Sequence, residues 1–207
     1  VVMLAQSLNL ETVVDEQRTV PYILIQPLGP VLFFVSGLAE LGRTPFDIHP
    51  AESELVGGPF VEYSGAHWAV FFLAEYINTF AIAALTVLMF LGGWLFPGLP
   101  SDVTAVGVLV FLSKTYLVIL VIFWIRGTYP RLRIDQLMSL GWKVLVPLAF
   151  VNVIITAVYM FYGWPAWSLT MMSLAIVGAA FWGLSRHMGT APTPEYTVRL
   201  FNPTTEA

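Results

Sequence analysis

The sequence predicts an all-α membrane protein, a polytopic bundle of about five transmembrane helices together with the end of a preceding helix. Three observations lead to this fold class. Of the 207 residues, 57% are hydrophobic and only 11% are charged, whereas a soluble domain carries about 25% charged residues. Apolar stretches of about 20 residues, the length that crosses the hydrocarbon core, recur along the chain. The basic residues also collect on one side of the resulting topology.

The predicted elements follow one another as a single membrane domain. Residues 1–10 are expected to end a preceding helix, because the first residues have no charged leader region and no cleavage site. The expected transmembrane helices are 21–40, 67–96, 105–125, 144–163 and 166–185. The first of these begins in a proline-rich stretch, which membrane helices tolerate because neighbouring helices satisfy the freed carbonyls. A long connection at 41–66 and a tail at 186–207 complete the chain.

Lysine and arginine residues set the predicted orientation in the membrane. The 126–143 connection holds four of the nine basic residues, and the opposite connection, 97–104, holds none. Because basic residues mark the cytoplasmic side of short loops, 126–143 is expected inside the cell and 97–104 outside. Two crossings upstream, the 41–66 loop is then cytoplasmic as well, and so is the tail at 186–207.

The composition argues against several classes of function. The chain has no cysteine, so neither disulfides nor thiolate metal sites are available to it. A net charge of −4 offers no basic surface for nucleic acid. Without cysteine or a spaced pair of histidines, the chain is not expected to bind a redox cofactor of its own.

The 41–66 loop is acidic on the side where membrane proteins usually place Lys and Arg. Between positions 40 and 75 a single arginine, Arg43, faces six carboxylates: Glu40, Asp47, Glu52, Glu54, Glu62 and Glu75. A free loop would be rich in Ser, Asn and Lys, whereas this one is rich in aromatic and apolar residues and contains a Gly-Gly turn signal. We therefore expect a folded loop, although Glu52 and Glu54 alone are equally typical of a solvated one. Arg43 is equally typical of a helix-end cation paired with Asp47.

Glu75 lies about two turns into the long apolar helix that follows the loop. A carboxylate at that depth is a functional-site hypothesis, because charge is costly in lipid. His67 lies on the same helix face, although a histidine at a helix entrance is more often interfacial. Lys114, in the middle of the next helix, requires a carboxylate partner, and Glu75 is the expected one.

Two runs of sequence resemble the signatures of the H-subunit family of respiratory complex I, the membrane subunit at the quinone site. The first is AELGRTPFDIHPAESELVGGPFVEYSGAHWAVFFLAEYIN, and the second is RGTYPRLRIDQLMSLGWKVLVPLAFVN. The resemblance covers residues 1 to about 160, which corresponds to the C-terminal two-thirds of the family pattern. One departure is His49-Pro50, where the family usually has Pro-Glu. Nothing is carried over onto 166–207, which is less typical of the family.

The resemblance implies a membrane subunit of a proton-pumping NADH:quinone oxidoreductase. In this family the loop that matches 41–66 helps to form the inner quinone chamber, and its carboxylates begin an acidic path into the membrane. The residues implied to line the chamber are Arg43, Phe46, Asp47, Glu52, Glu54, Phe60, Glu62 and Tyr63. The proton path that the resemblance and the intramembrane charges together predict consists of Glu40, Glu75, Tyr76 and Lys114. Quinone is the implied substrate, and FMN and iron–sulfur clusters are expected on partner subunits.

The implied partners are the iron–sulfur subunits of the quinone module, small membrane subunits and antiporter-like subunits, with no nucleic acid. The implied location is the bacterial inner (plasma) membrane. Two alternatives stay open. The homologous subunit of a membrane-bound hydrogenase shares the loop but uses no quinone. A stand-alone ion transporter would use Glu75 and Lys114, although the sequence shows no internal repeat of the kind found in transporters.

Overall fold

The computed structural model describes residues 1–47, 62–96 and 104–189, and within these ranges every regular element is a helix. The helices are α1 (Val2–Ala5), α2 (Leu10–Glu16), α3 (Tyr22–Ile25), α4 (Leu28–Glu40), α5 (Ala66–Phe90), α6 (Thr104–Thr128), α7 (Ile134–Leu140), α8 (Val146–Tyr162) and α9 (Ala166–Gly189). A π-helical turn, Gly141–Leu145, joins α7 to α8. The prediction of an all-α membrane bundle is confirmed.

Three helical stretches are long and apolar enough to cross a membrane: Ala66–Phe90, Ala105–Thr128 and Ile134–Tyr162. Leu28–Glu40 and Ala166–Ala180 are shorter apolar helices. The third long stretch begins well before the predicted start at 144, because α7 and the π-helical turn run directly into α8. Part of the predicted 126–143 connection is therefore helical.

The predicted helix at 21–40 is broken between α3 and α4. Gln26 precedes Pro27, and a residue before proline is steered away from the helical conformation. The buried Gln26 side chain instead donates to Asn152 Oδ1 and Thr156 Oγ1 of α8, each at 2.8 Å. This polar contact holds the break against α8, and the Thr170 hydroxyl of α9 donates to the carbonyl of Ile25 at 3.2 Å.

The packed core lies where α4, α5 and α6 meet. Its buried members are Leu38, Leu41, Phe46, Ile82, Ala83, Val87, Val118 and Ile122. Gly37 allows α4 to approach α5 closely, because a Cβ on it would lie 2.7 Å from Cγ2 of Ile82. Helices in a bilayer associate through such close packing, since lipid tails are as apolar as the side chains.

Gln17 ties the segment after α2 to the end of α5. Its Nε2 donates to the carbonyls of Val13 (3.1 Å) and Leu88 (3.0 Å). Its Oε1 accepts from the backbone N–H groups of Tyr22 (3.2 Å) and Gly92 (3.0 Å). Both amide hydrogens and both oxygen lone pairs therefore have hydrogen-bond partners. The burial of this polar side chain leaves no donor or acceptor unsatisfied.

Candidate functional site

The acidic loop begins with a turn that brings it against the connection between α6 and α7. Gly42 has a positive φ of 59°, and the peptide bond between Thr44 and Pro45 is cis. The Phe46 N–H donates to the Arg43 carbonyl at 2.8 Å, which closes the turn. The Leu132 N–H then donates to the Pro45 carbonyl at 3.0 Å. The acidic loop and the basic connection are therefore in direct contact.

Arg43 forms an ion pair with Glu75. Arg43 Nε donates to Glu75 Oε1 at 3.0 Å, with 7% of the arginine side chain and 22% of the glutamate side chain exposed. The guanidinium carbon of Arg43 also lies 5.3 Å from the centroid of the Tyr76 ring, within the range of a cation–π contact. The pair connects the residues just after α4 to the membrane helix α5, and supplies Glu75 with the cation that a buried carboxylate requires.

One nitrogen of the same guanidinium, Arg43 Nη2, is buried and has no hydrogen-bond partner among the described residues. Buried donors without partners are rare in folded proteins, because each costs about 1–3 kcal/mol. A further acceptor at this position, from a ligand or from a group outside the described ranges, would remove that cost.

The predicted pairing of Lys114 with Glu75 is wrong. Lys114 Nζ instead donates to the carbonyls of Leu91 (2.7 Å), Gly93 (3.2 Å) and Leu95 (2.5 Å). These carbonyls follow the end of α5, where the helix leaves acceptors unpaired and its dipole is negative. Leu91 is sixteen residues beyond Glu75, about 24 Å along the helix at 1.5 Å per residue. Lys114 therefore contacts the segment beyond the C-terminal end of α5, more than four helical turns from the Arg43 ion pair.

The other predicted site residues occupy different surroundings. Phe46 and Asp47 are buried, and Phe46 belongs to the packed core. Glu40, the last residue of α4, is exposed, as are Glu62 and Tyr63. The predictions for Glu52, Glu54 and Phe60, and the family departure at His49, lie outside the described residues.

An aromatic row on α5 leads to the ion pair. The ring centroids of Trp68 and Phe72 are 4.9 Å apart, and those of Phe72 and Tyr76 are also 4.9 Å apart. All three rings are partly open at the surface, and the row ends at Arg43. Trp68 and Phe72 were not predicted as site residues, although their spacing of four is the signal that places side chains together on one helix face.

The fold and the site together define a polytopic helical membrane protein with a buried ion pair between a loop and a membrane helix. Among the described residues, no group of three or more His, Asp or Glu side chains is placed to hold a metal ion. The chain belongs to the NADH dehydrogenase family, whose model matches residues 1–157. The resemblance found in the sequence is thereby confirmed.

The chain is similar to proteins named as the H subunit of NADH-quinone oxidoreductase. It is 53% identical to one from a Geobacillus species over 157 residues, covering 76% of this chain and 46% of the relative. It is 51% identical to one from Anoxybacillus flavithermus over 157 residues, with the same shares. It is 49% identical to one from Brevibacillus brevis over 162 residues, 78% of this chain and 48% of the relative. The chain thus spans about half the length of the curated relatives it matches, not the two-thirds expected from the sequence.

Proposed function

We propose that this chain contributes a membrane subunit to a proton-pumping NADH:quinone oxidoreductase of the bacterial plasma membrane. In this proposal it forms part of a quinone chamber and the beginning of an acidic path that couples quinone reduction to proton translocation. Membership of the NADH dehydrogenase family and the names of the relatives support the assignment. Electrons would arrive from partner subunits that carry FMN and iron–sulfur clusters. Antiporter-like subunits would complete the pump.

The observation that carries the proposal is the ion pair between Arg43 and Glu75. It joins the start of the proposed chamber loop to a carboxylate within a membrane helix. The unpartnered Arg43 Nη2 is a suitable donor for an oxygen of the quinone or of a loop carboxylate. The proposed chamber also includes the loop residues Phe46, Asp47, Glu52, Glu54, Phe60, Glu62 and Tyr63.

The ion pair supplies a physical route from quinone chemistry to a proton. A quinone that has received electrons is transiently anionic, and it would compete with Glu75 for the guanidinium of Arg43. A carboxylate that loses its cation inside a membrane takes up a proton, because the uncompensated charge is costly there. Electron transfer to the quinone would thus lead to protonation of Glu75. The proposed proton path also includes Tyr76, the next residue along α5, and Glu40.

Lys114 is left out of this path. Its ammonium has three N–H donors, and the three carbonyls beyond α5 accept from all of them. We propose that Lys114 is a structural contact that ties α6 to the segment after α5.

The orientation that we propose places 41–66 and 126–143 on the cytoplasmic side. The hydrogen bond between Leu132 and Pro45 supports a common side for these two segments. Quinone-module subunits that carry iron–sulfur clusters would dock on this side, next to the chamber.

The test is Glu75→Gln in the assembled complex. We expect the rate of proton translocation to fall about tenfold, which corresponds to about 1.4 kcal/mol of activation free energy. Turnover with quinone should fall with it, because the amide cannot take up a proton. Glu11→Gln is the matched control, since Glu11 is an exposed carboxylate in the first turn of α2, away from the ion pair. Unchanged turnover and unchanged translocation in Glu75→Gln would contradict the proposal.

The two alternatives are separated by assays on purified material. An intact complex that evolves hydrogen but does not oxidise NADH with quinone would assign the chain to a hydrogenase. Ion transport by the chain alone in liposomes would assign it to the transporters.

A further inference from the structure

A groove of about 360 Å³ lies between α8, with the π-helical turn before it, and α9. Its walls are apolar except for one lysine, and they are formed by Lys143, Val144, Pro147, Leu148, Val151, Ala180 and Gly183. The volume is within the range of about 300–1,000 Å³ that is typical of small-molecule sites. The α9 wall lies beyond residue 157, where the family match ends, so this groove is built partly by the divergent end of the chain.

Local backbone geometry places Lys143 at the groove. Pro147 has no N–H and cannot continue the α-helical hydrogen-bond ladder. The turn immediately before it is π-helical, and the Val146 N–H donates to the carbonyl of Gly141, five residues back. Trp142, beside the lysine, is 69% exposed. Because exposed indoles concentrate at the membrane–water interface, we expect Lys143 to lie at the depth of lipid headgroups.

The ammonium of Lys143 is available to a ligand. It is exposed, and among the described residues it forms neither an ion pair nor a hydrogen bond. A second apolar groove, of about 450 Å³, is lined by Lys114 on α6. There the three carbonyls beyond α5 already accept from the amine. Of these two grooves, only the one at Lys143 combines an apolar wall with an uncompensated positive charge.

We propose that this groove binds an anionic phospholipid, with one acyl chain along the apolar wall and the phosphate at Lys143. Charge complementarity selects this occupant, because basic pockets between membrane helices attract anionic headgroups. A zwitterionic lipid brings a cation of its own to the same place and gains less. Lys143 also ends the basic 126–143 connection, on the side expected to face the more anionic cytoplasmic leaflet. The site is separate from the Arg43–Glu75 pair, and the proposal does not depend on the function proposed above.

The test counts the lipids that stay bound to the 207-residue chain. The protein is reconstituted in nanodiscs of phosphatidylcholine containing a minor fraction of phosphatidylglycerol, released in the gas phase and measured by native mass spectrometry. The wild type should retain phosphatidylglycerol in preference to phosphatidylcholine. Lys143→Met should lower the retained phosphatidylglycerol about fivefold, which corresponds to the 1 kcal/mol that one basic residue contributes near an anionic surface. Lys143→Arg should keep it.

Two glycines of α9 provide a steric test with a matched control. A Cβ added to Gly183 or to Gly178 meets no atom of the described residues within 4 Å, so the backbone surroundings block a larger side chain at neither position. Of the two, Gly183 lines the groove and Gly178 does not. Gly183→Leu should therefore displace the lipid, and Gly178→Leu should retain it.

Equal retention of the two lipids by the wild type would overturn the proposal, as would full retention by Lys143→Met or equal effects of the two leucine variants. Far-UV circular dichroism checks that each variant is folded. If a leucine variant does not fold, the exposed Lys143 substitutions decide the question.

Discussion

The ion pair between Arg43 and Glu75 makes a quantitative prediction about stability. Replacing Glu75 by leucine would leave the Arg43 guanidinium buried without its counter-charge, since 7% of that side chain is exposed. Removing one partner of a fully buried pair costs about 3–5 kcal/mol. Glu75 is 22% exposed and the Tyr76 ring remains beside the guanidinium. We therefore expect a loss of about 2–3 kcal/mol, below that range.

A double-mutant cycle isolates the interaction itself. Its members are Arg43→Met, Glu75→Leu and the double variant, which removes both charges. The double variant should lose less free energy of unfolding than the two single variants lose together. We expect a coupling energy of about 1.5–2.5 kcal/mol. Equilibrium unfolding in mixed micelles of dodecyl maltoside and sodium dodecyl sulfate, followed by tryptophan fluorescence, measures the four free energies of unfolding.

The pair Arg18–Asp15 is a matched control within the same chain. Its N···O distance is also 3.0 Å, but 61% of the arginine side chain and 45% of the aspartate side chain are exposed. An exposed pair of this kind contributes about 0.2–1 kcal/mol, because water and salt screen the charges. If the two cycles gave the same coupling energy within about 0.5 kcal/mol, burial would not control the strength of the Arg43–Glu75 pair, and the reasoning would be refuted.

Two further substitutions test the packing of α5 against its neighbours, again through the free energy of unfolding. Lys114→Met should destabilise the chain by about 2–4 kcal/mol, because three partly buried carbonyls lose their donor. Ser113→Ala should cost less than about 1 kcal/mol, because that hydroxyl bonds only within its own helix; similar losses would show that the carbonyl contacts contribute nothing. Gly37→Ala should cost about 1–3 kcal/mol, since the new Cβ would lie 2.7 Å from Ile82. Gly127→Ala, where a Cβ meets nothing within 4 Å, should be neutral or stabilising, and equal effects of the two alanines would contradict the close approach of α4 to α5.

The membrane fold was predictable because it depends on quantities that the chain shows directly. Runs of apolar residues of about 20 positions have few outcomes other than crossing a bilayer. Glu75 was likewise predictable as a functional-site residue from its position in an apolar run, since a carboxylate there is energetically costly unless it has a partner. The family relationship also followed from motif residues that lie close together in sequence.

The break in the helix at Gln26 was not predicted. Pro27 disfavours regular helix at the residue before it, but the helix was predicted to run from 21 to 40, because membrane helices tolerate proline. The polar contacts that hold the break come from Asn152 and Thr156, more than a hundred residues later. No local pattern connects positions so far apart.

The acidic loop and its membrane carboxylate were determined by the sequence alone, but their partners were decided by the tertiary structure. Arg43 and Lys114 both required a group to compensate their charge. Glu75 was predicted to pair with Lys114, because the two residues lie on consecutive membrane helices. The structure places Arg43 at Glu75 and surrounds Lys114 with backbone carbonyls about 24 Å away along α5. The physical reason is that pairing between helices depends on their relative depth and rotation. An error of about four residues in the depth of one helix moves a side chain along the axis by a full turn. Backbone carbonyls, moreover, are acceptors that every residue has, so no residue type marks them as the partner of a lysine.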